Sequence, residues 1–306
     1  MSLKRVKNVG PAKIEIAYEC FGDENAPPVL LIMGLGGQML GWNEGFCMEL
    51  VNQGLRVIRF DNRDAGLSTH FNNAPLPDFK AALAGDTSSA SYNLSDMAAD
   101  TVGLLDVLGL SSSHIAGASM GGFIAQTIAI EYPERVRSLT SIMSNTGAPS
   151  VGQPDPEAMR SLFSGQSPTT REEVMEKAVT ATRLVGSPAY PSDENEVRER
   201  AGLAYDRSYD QLGIIRQSVA VLTSGDRTTR LKSINVPTLV IHGSDDRMCN
   251  VSGGLATADA ILNAQLEVIE GMGHNLPQEL WHRVAVLIFN LVRRAEPTVC
   301  QSTTTG

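Results

Sequence analysis

The sequence predicts an α/β fold in which a mostly parallel sheet is covered by helices on both faces. Short runs made mostly of apolar residues recur along the chain, for example the unbroken run Pro28–Met33 and the run Leu55–Phe60, which contains two arginines. Helical patterns such as Trp42–Gln53 separate these runs. Strands that are buried on both faces have unbroken apolar sequences, and parallel strands need crossover connections that are usually helices.

The same alternation continues through the first half of the chain. Lys13–Tyr18 alternates polar and apolar residues, as a half-buried strand does, and further strands are predicted at His114–Ala118 and Ser138–Met143. Helices are predicted at Leu94–Leu108 and from about Gly121 to Glu131. Each predicted strand of this region is therefore followed by a turn or a helix, as a parallel sheet requires.

The alternation stops between residues 146 and 233. This stretch contains helical patterns, such as Arg171–Leu184 and Glu194–Ala204, and several prolines, but no strand-like run. Strand patterns resume at Pro237–Ile241 and Leu266–Ile269, before a closing helix from about Pro277 to Arg294. We therefore expect a core domain from residues 1–145 and 234–296, a helical cap from 146–233, and a flexible polar tail over 297–306.

Composition excludes several classes of protein. The 306 residues are 42% apolar and 19% charged, which is typical of a globular chain rather than a disordered one. The net charge is −9, from 25 Lys and Arg against 34 Asp and Glu, so the basic excess that nucleic-acid binding requires is missing. We expect no nucleic-acid partner.

The cysteines and the N-terminus indicate a cytoplasmic protein. The 4 cysteines lie far apart without a C-x-x-C pair, so neither a zinc site nor a redox motif is expected. No apolar stretch follows the basic residues near the N-terminus, as it would in a secretion signal. The longest uncharged stretch, Val107–Ile130, is interrupted by glycines and serines, so no membrane span is expected either. No metal and no organic cofactor is implied.

Ser119 is the candidate nucleophile. The segment Gly117-Ala118-Ser119-Met120-Gly121 matches the pattern G-x-S-x-G. It lies after a predicted strand and before a predicted helix. A serine in a sharp strand-to-helix turn has an exposed hydroxyl, and the glycines let the flanking segments approach. The alternative is a Gly-rich turn in which the serine is merely small, and the strand-turn-helix context favours the nucleophile.

A serine hydroxyl needs a general base and a group that orients this base. Of the 5 histidines, only His274 lies in a glycine-flanked loop after a predicted strand, where parallel sheets place active sites. The candidate acids are Asp245 and Asp246, which follow another predicted strand. The chain order Ser, Asp, His is the order of a nucleophile-elbow triad. The residues alone leave Asp245 and Asp246 both open.

A glycine-rich turn follows the strand predicted at Pro28–Ile32. Met33-Gly34-Leu35-Gly36-Gly37 can bend the chain so that the N–H of Leu35 points inward, beside the N–H of Met120. Two such donors would stabilise the oxyanion of an acyl-transfer intermediate. A phosphate-binding turn is the alternative, but this turn lacks G-x-G-x-x-G and the chain lacks G-x-x-x-x-G-K-[ST].

With these motifs in place, the chain resembles the α/β-hydrolase superfamily over about residues 12–295. The segments LLIMGLGGQMLGW and LRVIRFDNRDAGLST are most similar to bacterial serine esterases of the branch that includes aclacinomycin methylesterase. The resemblance implies a triad of Ser119, Asp246 and His274, with Asp246 rather than Asp245 as the acid, and an oxyanion pair of Leu35 and Met120. It rests further on GASMGG at 117–122, LSDMAAD at 94–100, EYPERV at 131–136, PTLVIHGSDD at 237–246 and GMGHNLP at 271–277.

The resemblance implies hydrolysis of a carboxylic ester, with a hydrophobic small molecule as substrate and an acyl-enzyme intermediate. C–C bond hydrolysis or cofactor-free perhydrolysis on the same triad is the alternative, and a non-catalytic receptor is less favoured. Two departures stand out: Met33 replaces the histidine of a common His-Gly pair, and Arg63-Asp64-Ala65-Gly66 replaces R-G-x-G, which we expect to affect only a loop. Apolar cap residues are expected either to line the substrate pocket or to pack on the core: Met159, Leu162, Phe163, Leu184, Leu212, Ile214 and Ile215.

Overall fold

One sheet organises the computed structural model, which describes residues 3–162 and 167–296. In the described residues its strands are β1 (Lys4–Val9), β2 (Ile14–Phe21), β3 (Pro28–Ile32), β4 (Arg56–Phe60), β5 (Ser113–Ala118), β6 (Val136–Ile142), β7 (Thr238–Gly243) and β8 (Gln265–Ile269). They lie in the order β1-β2-β4-β3-β5-β6-β7-β8. The pairs β1–β2 and β2–β4 are antiparallel, and all pairs from β4 to β8 are parallel.

Helices connect the parallel strands. They are α1 (Glu44–Asn52), α2 (Phe79–Leu83), α3 (Leu94–Val107), α4 (Met120–Glu131), α5 (Pro156–Leu162), α6 (Arg171–Val185), α7 (Glu194–Arg207), α8 (Gln211–Ser224), α9 (Thr228–Leu231), α10 (Ser252–Ala260) and α11 (Trp281–Ala295). No helix of the described residues is long and apolar enough to cross a bilayer. The tail expected at 297–306 and the cap residue Phe163 lie outside the described residues.

The sheet separates two apolar cores. Leu30 and Ile32 of β3 point into the core formed with α3 and α4, whereas Val29 and Leu31 point into the core formed with α1 and α11. All five residues of β3 are buried. Because both faces of β3 are covered, its sequence PVLLI is apolar without a break. The predicted fold class is thereby confirmed.

The described residues between β6 and β7 form the five helices α5–α9 and no strand. Polar contacts join α7 and the residue that follows it to the loops after β3 and β4. Gln38 donates from its Nε2 to the carbonyl oxygens of Ala204 (2.7 Å) and Ser208 (2.8 Å). Arg207 donates to the buried Asp61 carboxylate at 2.8 Å. These contacts tie the helical region to the core.

Asp64 stands where the common R-G-x-G loop has its first glycine, and its φ of +62° lies in the left-handed region. Aspartate tolerates this conformation better than most side chains do. Both carboxylate oxygens accept hydrogen bonds from the Arg216 guanidinium of α8, at 2.8 and 2.9 Å, and the Tyr92 hydroxyl donates at 2.6 Å. The expectation that this departure affects only a loop is therefore wrong, because it creates a buried ion pair between the core and α8.

Arg216 forms a second ion pair, with the carboxylate of Asp210. Arg216 also donates to Asp210 at 3.0 Å, and Asp210 contacts Nδ1 of His70 at 2.8 Å. One ligand atom each of Asp64, His70 and Asp210 lies within 4.8 Å of the others, a spacing that could hold a cation. The guanidinium of Arg216 supplies the positive charge between the two carboxylates.

We expect Asp64→Ala to lower the free energy of unfolding by about 3 kcal/mol, because it removes the buried, bidentate partner of Arg216 and leaves this cation only the single contact to Asp210. Asp64→Asn keeps the tolerance of a positive φ and a hydrogen-bond acceptor, so its loss should be smaller. Urea unfolding monitored by circular dichroism measures both. Glu194→Gln, which breaks an exposed ion pair with Arg183, is the control and should change little. Equal losses in Asp64→Ala and Glu194→Gln would contradict this role of the buried pair.

Candidate active site

Ser119 joins β5 to α4 in a strained turn. Its φ is +56° and its ψ is −122°, and its N–H donates to the carbonyl of Ile142 at 2.9 Å. A Cβ on Gly117 would lie 2.0 Å from the carbonyl oxygen of Gly121, and one on Gly121 would lie 2.1 Å from that of Ile32. Neither position accepts a side chain without a backbone shift. The glycines thus allow the close approach that holds the serine in this conformation.

His274 lies between the serine and a carboxylate. Its Nε2 is 3.0 Å from Oγ of Ser119, and its Nδ1 is 2.8 Å from Oδ2 of Asp246. The three side chains come from the loops after β5, β7 and β8, at the carboxyl edge of the parallel strands. The structure therefore brings the three sequence-predicted triad residues into one hydrogen-bonded chain.

The two neighbouring aspartates differ in direction and exposure. Asp246 is buried, and its Oδ1 accepts hydrogen bonds from the backbone N–H groups of residues 248 (2.9 Å) and 249 (2.7 Å). Asp245 is exposed, and its Oδ2 accepts a hydrogen bond from the N–H of Gly271. Of the two, only Asp246 contacts His274. Its position, with one oxygen held by the backbone, leaves the other oxygen directed at the imidazole.

A second histidine lies behind this carboxylate. His242 is fully buried, and its Nε2 is 2.7 Å from the carbonyl oxygen of Cys249, to which it donates. Its Nδ1 is then an acceptor, and this atom is buried without a hydrogen-bond partner. Burial lowers the pKa of His242, so the ring is neutral near pH 7. The His242 ring lies 3.6 Å from the Asp246 carboxylate. Because this ring is neutral, it does not compete with His274 for the charge of Asp246.

The turn after β3 passes directly over the serine. A Cβ on Gly34 would lie 3.1 Å from Cβ of Ser119. Met120 is the first residue of α4, where the N–H groups have no partner within the helix. Among the described residues, no acceptor is recorded for the N–H of Leu35 or of Met120. Both predicted oxyanion donors are thus located in backbone segments that adjoin Ser119.

Two side chains that the sequence did not single out hold this turn. Asn62 donates from its Nδ2 to the carbonyl of Met33 at 2.9 Å. Gln217 of α8 accepts from the N–H of Gly36 at 2.8 Å, and its Nε2 donates to the carbonyl of Arg63 at 2.7 Å. Gln217 is completely buried. The position of the turn therefore depends on α8 as well as on the core.

The loop that carries His274 is likewise held by the helical region. The N–H of His274 donates to the carbonyl of Val185 at 2.7 Å, and the N–H of Gly273 donates to Oγ of Ser187 at 2.9 Å. The Ser187 hydroxyl in turn donates to Oδ1 of Asn275 at 2.6 Å. The imidazole is thus fixed both by its carboxylate partner and by the segment between α6 and α7.

A cavity of about 690 Å³ opens onto Ser119 and His274. None of the described apolar cap residues named from the sequence lines it, and Leu184 lines a second cavity of about 800 Å³ instead. The helical region contributes Val197 and Arg200 of α7, because α7 turns this face toward the core. Further apolar walls include Met33, Trp42, Met143, Leu276 and Trp281.

Comparison with known proteins assigns the family. The sequence profile of the alpha/beta hydrolase fold matches residues 27–278. The chain belongs to the α/β-hydrolase fold family. The turn with Ser119 and the loops with Asp246 and His274 all lie within the matched range.

Two curated relatives of this α/β hydrolase differ in the share of the chain over which they match. Rhodomycin D methylesterase DnrP of Streptomyces peucetius is 31% identical over 131 residues, which is 43% of this chain and 39% of the relative. The match thus spans about two-fifths of that protein's length. A 2-hydroxy-6-oxononadienedioate/2-hydroxy-6-oxononatrienedioate hydrolase of Burkholderia vietnamiensis is 29% identical over 294 residues, which is 92% of each chain.

Solved structures agree with this fold. A thermophilic esterase from Thermogutta terrifontis is 25% identical, with a TM-score of 0.72, over 96% of this α/β hydrolase and 100% of that chain. The meta-cleavage product hydrolase CumD from Pseudomonas fluorescens is 22% identical, with a TM-score of 0.73, over 96% of this chain and 98% of the other. The second likeness bears on the fold alone.

Proposed function

We propose that this chain is a serine hydrolase that cleaves carboxylic esters of small molecules through an acyl-enzyme intermediate. The observation that carries the proposal is the hydrogen-bonded chain from Ser119 through His274 to Asp246, with distances of 3.0 and 2.8 Å. A serine, a histidine and a buried carboxylate in this arrangement convert a weak hydroxyl into a nucleophile. The cytoplasmic location stays a prediction from the sequence.

In the first step, Oγ of Ser119 attacks the ester carbonyl while Nε2 of His274 takes the hydroxyl proton. The carbonyl π electrons move to the oxygen, and the N–H groups of Leu35 and Met120 donate to this oxyanion. Collapse of the tetrahedral intermediate breaks the bond to the alcohol, which leaves with the proton from His274. Asp246 keeps Nδ1 of the imidazole protonated and stabilises the cation that forms.

In the second step, water attacks the acyl-enzyme. His274 takes a proton from this water, the oxyanion again lies against the same two N–H groups, and Ser119 leaves with the proton. The products are a carboxylic acid and the free enzyme. We propose that residues 146–233 act as the cap that closes the cavity over these steps, supported by the lining residues of α7.

Hydrolysis of a C–C bond by the same triad is the second candidate. It is favoured by the relative from Burkholderia vietnamiensis, whose name describes a dienedioate hydrolase and which matches over 92% of each chain. The shorter match to a methylesterase, at 31% identity, supports ester hydrolysis. Both reactions need a nucleophile or base at Ser119 and an oxyanion site, so substrate chemistry has to separate them.

The proposed function is tested with p-nitrophenyl esters from acetate to decanoate, run before and after labelling with a fluorophosphonate. We expect turnover that disappears as one equivalent of label attaches to Ser119, identified by mass spectrometry of the labelled peptide. Labelling without turnover of any ester, together with cleavage of a dienol acid, would favour the C–C hydrolase. If the protein is neither labelled nor active on any of these substrates, the assignment as a serine hydrolase is contradicted.

A further inference from the structure

One charged side chain of the active-site cavity lacks a partner. Arg200 lines this cavity from α7. The other two arginines of α7 are paired: Arg198 donates to Glu176 at 2.8 Å, and Arg207 donates to Asp61 at 2.8 Å. Among the described residues, the guanidinium of Arg200 makes no hydrogen bond and no ion pair within 4.0 Å. Its five N–H donors are therefore available to a ligand.

Arg200 is also partly withdrawn from water. Burial lowers the pKa of Arg200, and the charge of Glu196, one turn earlier on α7, offsets this only in part. A cation that loses hydration without gaining a partner is unfavourable for folding. Long arginine side chains on a helix surface otherwise extend into solvent or pair with a neighbouring carboxylate, as Arg198 does. Arg200 is the exception, and it lies in the cavity that contains Ser119.

The carboxylates that line the cavity together with Arg200 do not form an ion pair with it. Asp193, Glu196 and Glu279 are all exposed to solvent. Asp193 accepts a hydrogen bond from the backbone N–H of Asn195 at the start of α7. Exposed charges that do not touch are largely screened by water and salt. The half-buried guanidinium of Arg200 is thus the one arginine or lysine group in the lining of this cavity among the described residues.

We propose that Arg200 binds the carboxylate of a substrate that carries an anionic group at the far end of its ester, such as a half-ester of a dicarboxylic acid. The proposal rests on the proposed esterase function and narrows its substrate class. A guanidinium presents two parallel N–H donors that match the two oxygens of a carboxylate. Apolar walls, such as Trp42, Met143 and Val197, suit the hydrocarbon spacer between the carboxylate and the ester.

Two esters of equal shape test this assignment. Mono-p-nitrophenyl glutarate ends in a carboxylate, and p-nitrophenyl 5-methylhexanoate ends in an isopropyl group of the same outline. We expect wild type to have the higher kcat/KM for the anionic ester. Arg200→Gln should lower the preference for the anionic over the neutral ester by about 10–100-fold, mainly through KM, because it removes a charged hydrogen-bond pair.

Two further variants separate charge and geometry from indirect effects. Arg200→Lys keeps the charge without the planar fork and should restore part of the preference. Arg198→Gln removes a neighbouring charge from the same helix, outside the cavity lining, and should leave the ratio of the two kcat/KM values as in wild type. Because each variant is judged by a ratio of two esters, partial unfolding lowers both values and does not change the readout.

The outcomes also distinguish this proposal from the esterase function itself. If wild type hydrolyses both esters without preference, or if Arg200→Gln leaves the ratio unchanged, the role of Arg200 is overturned and the esterase stands. If wild type hydrolyses neither of these esters and no p-nitrophenyl ester from acetate to decanoate, the esterase function fails. Glutarate binding, measured by calorimetry on wild type and Arg200→Gln, then decides the carboxylate site: equal affinities overturn it, and loss of binding in the variant supports it.

Discussion

Ser119→Ala is expected to lower kcat for every ester that the wild type hydrolyses by roughly 10⁵- to 10⁶-fold, since the atom that would form the acyl bond is removed. KM should change little, because the cavity walls remain. The fold should also persist. Alanine is smaller than serine in the same turn, and the backbone hydrogen bond of residue 119 to Ile142 is kept. Steady-state kinetics and thermal unfolding of the two proteins measure both expectations.

A neighbouring hydroxyl gives the matched control. Ser144 donates to the carbonyl oxygen of Ser119 at 2.9 Å, so it is close to the same turn without belonging to the triad. Ser144→Ala loses one hydrogen bond of the turn and should lower kcat by less than about tenfold. Fluorophosphonate should label Ser144→Ala and fail to label Ser119→Ala. If Ser119→Ala kept turnover within tenfold of wild type, the nucleophile would have to be another residue.

The central sheet could be predicted because burial on both faces leaves a strong pattern. Every residue of β3 is buried, alternately in the two cores, so its sequence PVLLI is apolar throughout. The closing helix α11 has the 3.6-residue periodicity of an element with one buried face, because it buries Val284, Ala285, Ile288, Leu291 and Val292. Most predicted boundaries therefore agree with the observed elements to within one to three residues, for example Leu94–Leu108 against α3.

Two of the elements that the sequence analysis did not predict, β1 and α10, do not take their stability from an apolar pattern. The strand β1 has the sequence KRVKNV, lies at the edge of the sheet, and is mostly exposed. It is held by backbone pairing with β2, which the sequence does not record. The helix α10 is SGGLATADA, whose small residues allow close packing. A Cβ on Gly254, for instance, would lie 2.6 Å from Nδ1 of His242.

The candidate site likewise contains residues that the sequence predicts and residues that it does not. Ser119 and His274 could be predicted because short glycine-flanked motifs are required locally for a strained turn and an exposed loop. The choice of Asp246 over Asp245 could be made only from the family resemblance and not from the residues alone, because adjacent carboxylates differ only in the direction that the following loop imposes. Arg200 was missed for a related reason. Nothing in the sequence separates it from Arg198 until the partners of each side chain are located.

Asp246→Asn is expected to lower kcat by about 10⁴-fold while Asp245→Asn leaves it within about threefold, because an exposed charge contributes little. An asparagine amide at position 246 has almost the same volume, and its oxygen can still accept from the N–H groups of residues 248 and 249. Its NH₂ group, however, would face Nδ1 of His274 and donate to it. The imidazole would then carry its proton on Nε2 and could not take the proton of Ser119.

The paired design separates this tautomer effect from a general loss of charge. Both variants remove one negative charge from adjacent residues, so a long-range electrostatic role would lower their kcat values together. Thermal unfolding of both proteins checks that the buried site is intact, and fluorophosphonate labelling rates report how readily Ser119 reacts without any ester. A slower rate in Asp246→Asn alone follows from the geometry, since only that carboxylate touches His274. A larger loss in Asp245→Asn would instead assign the acid to Asp245, and would require the loop after β7 to turn its carboxylates the other way in solution.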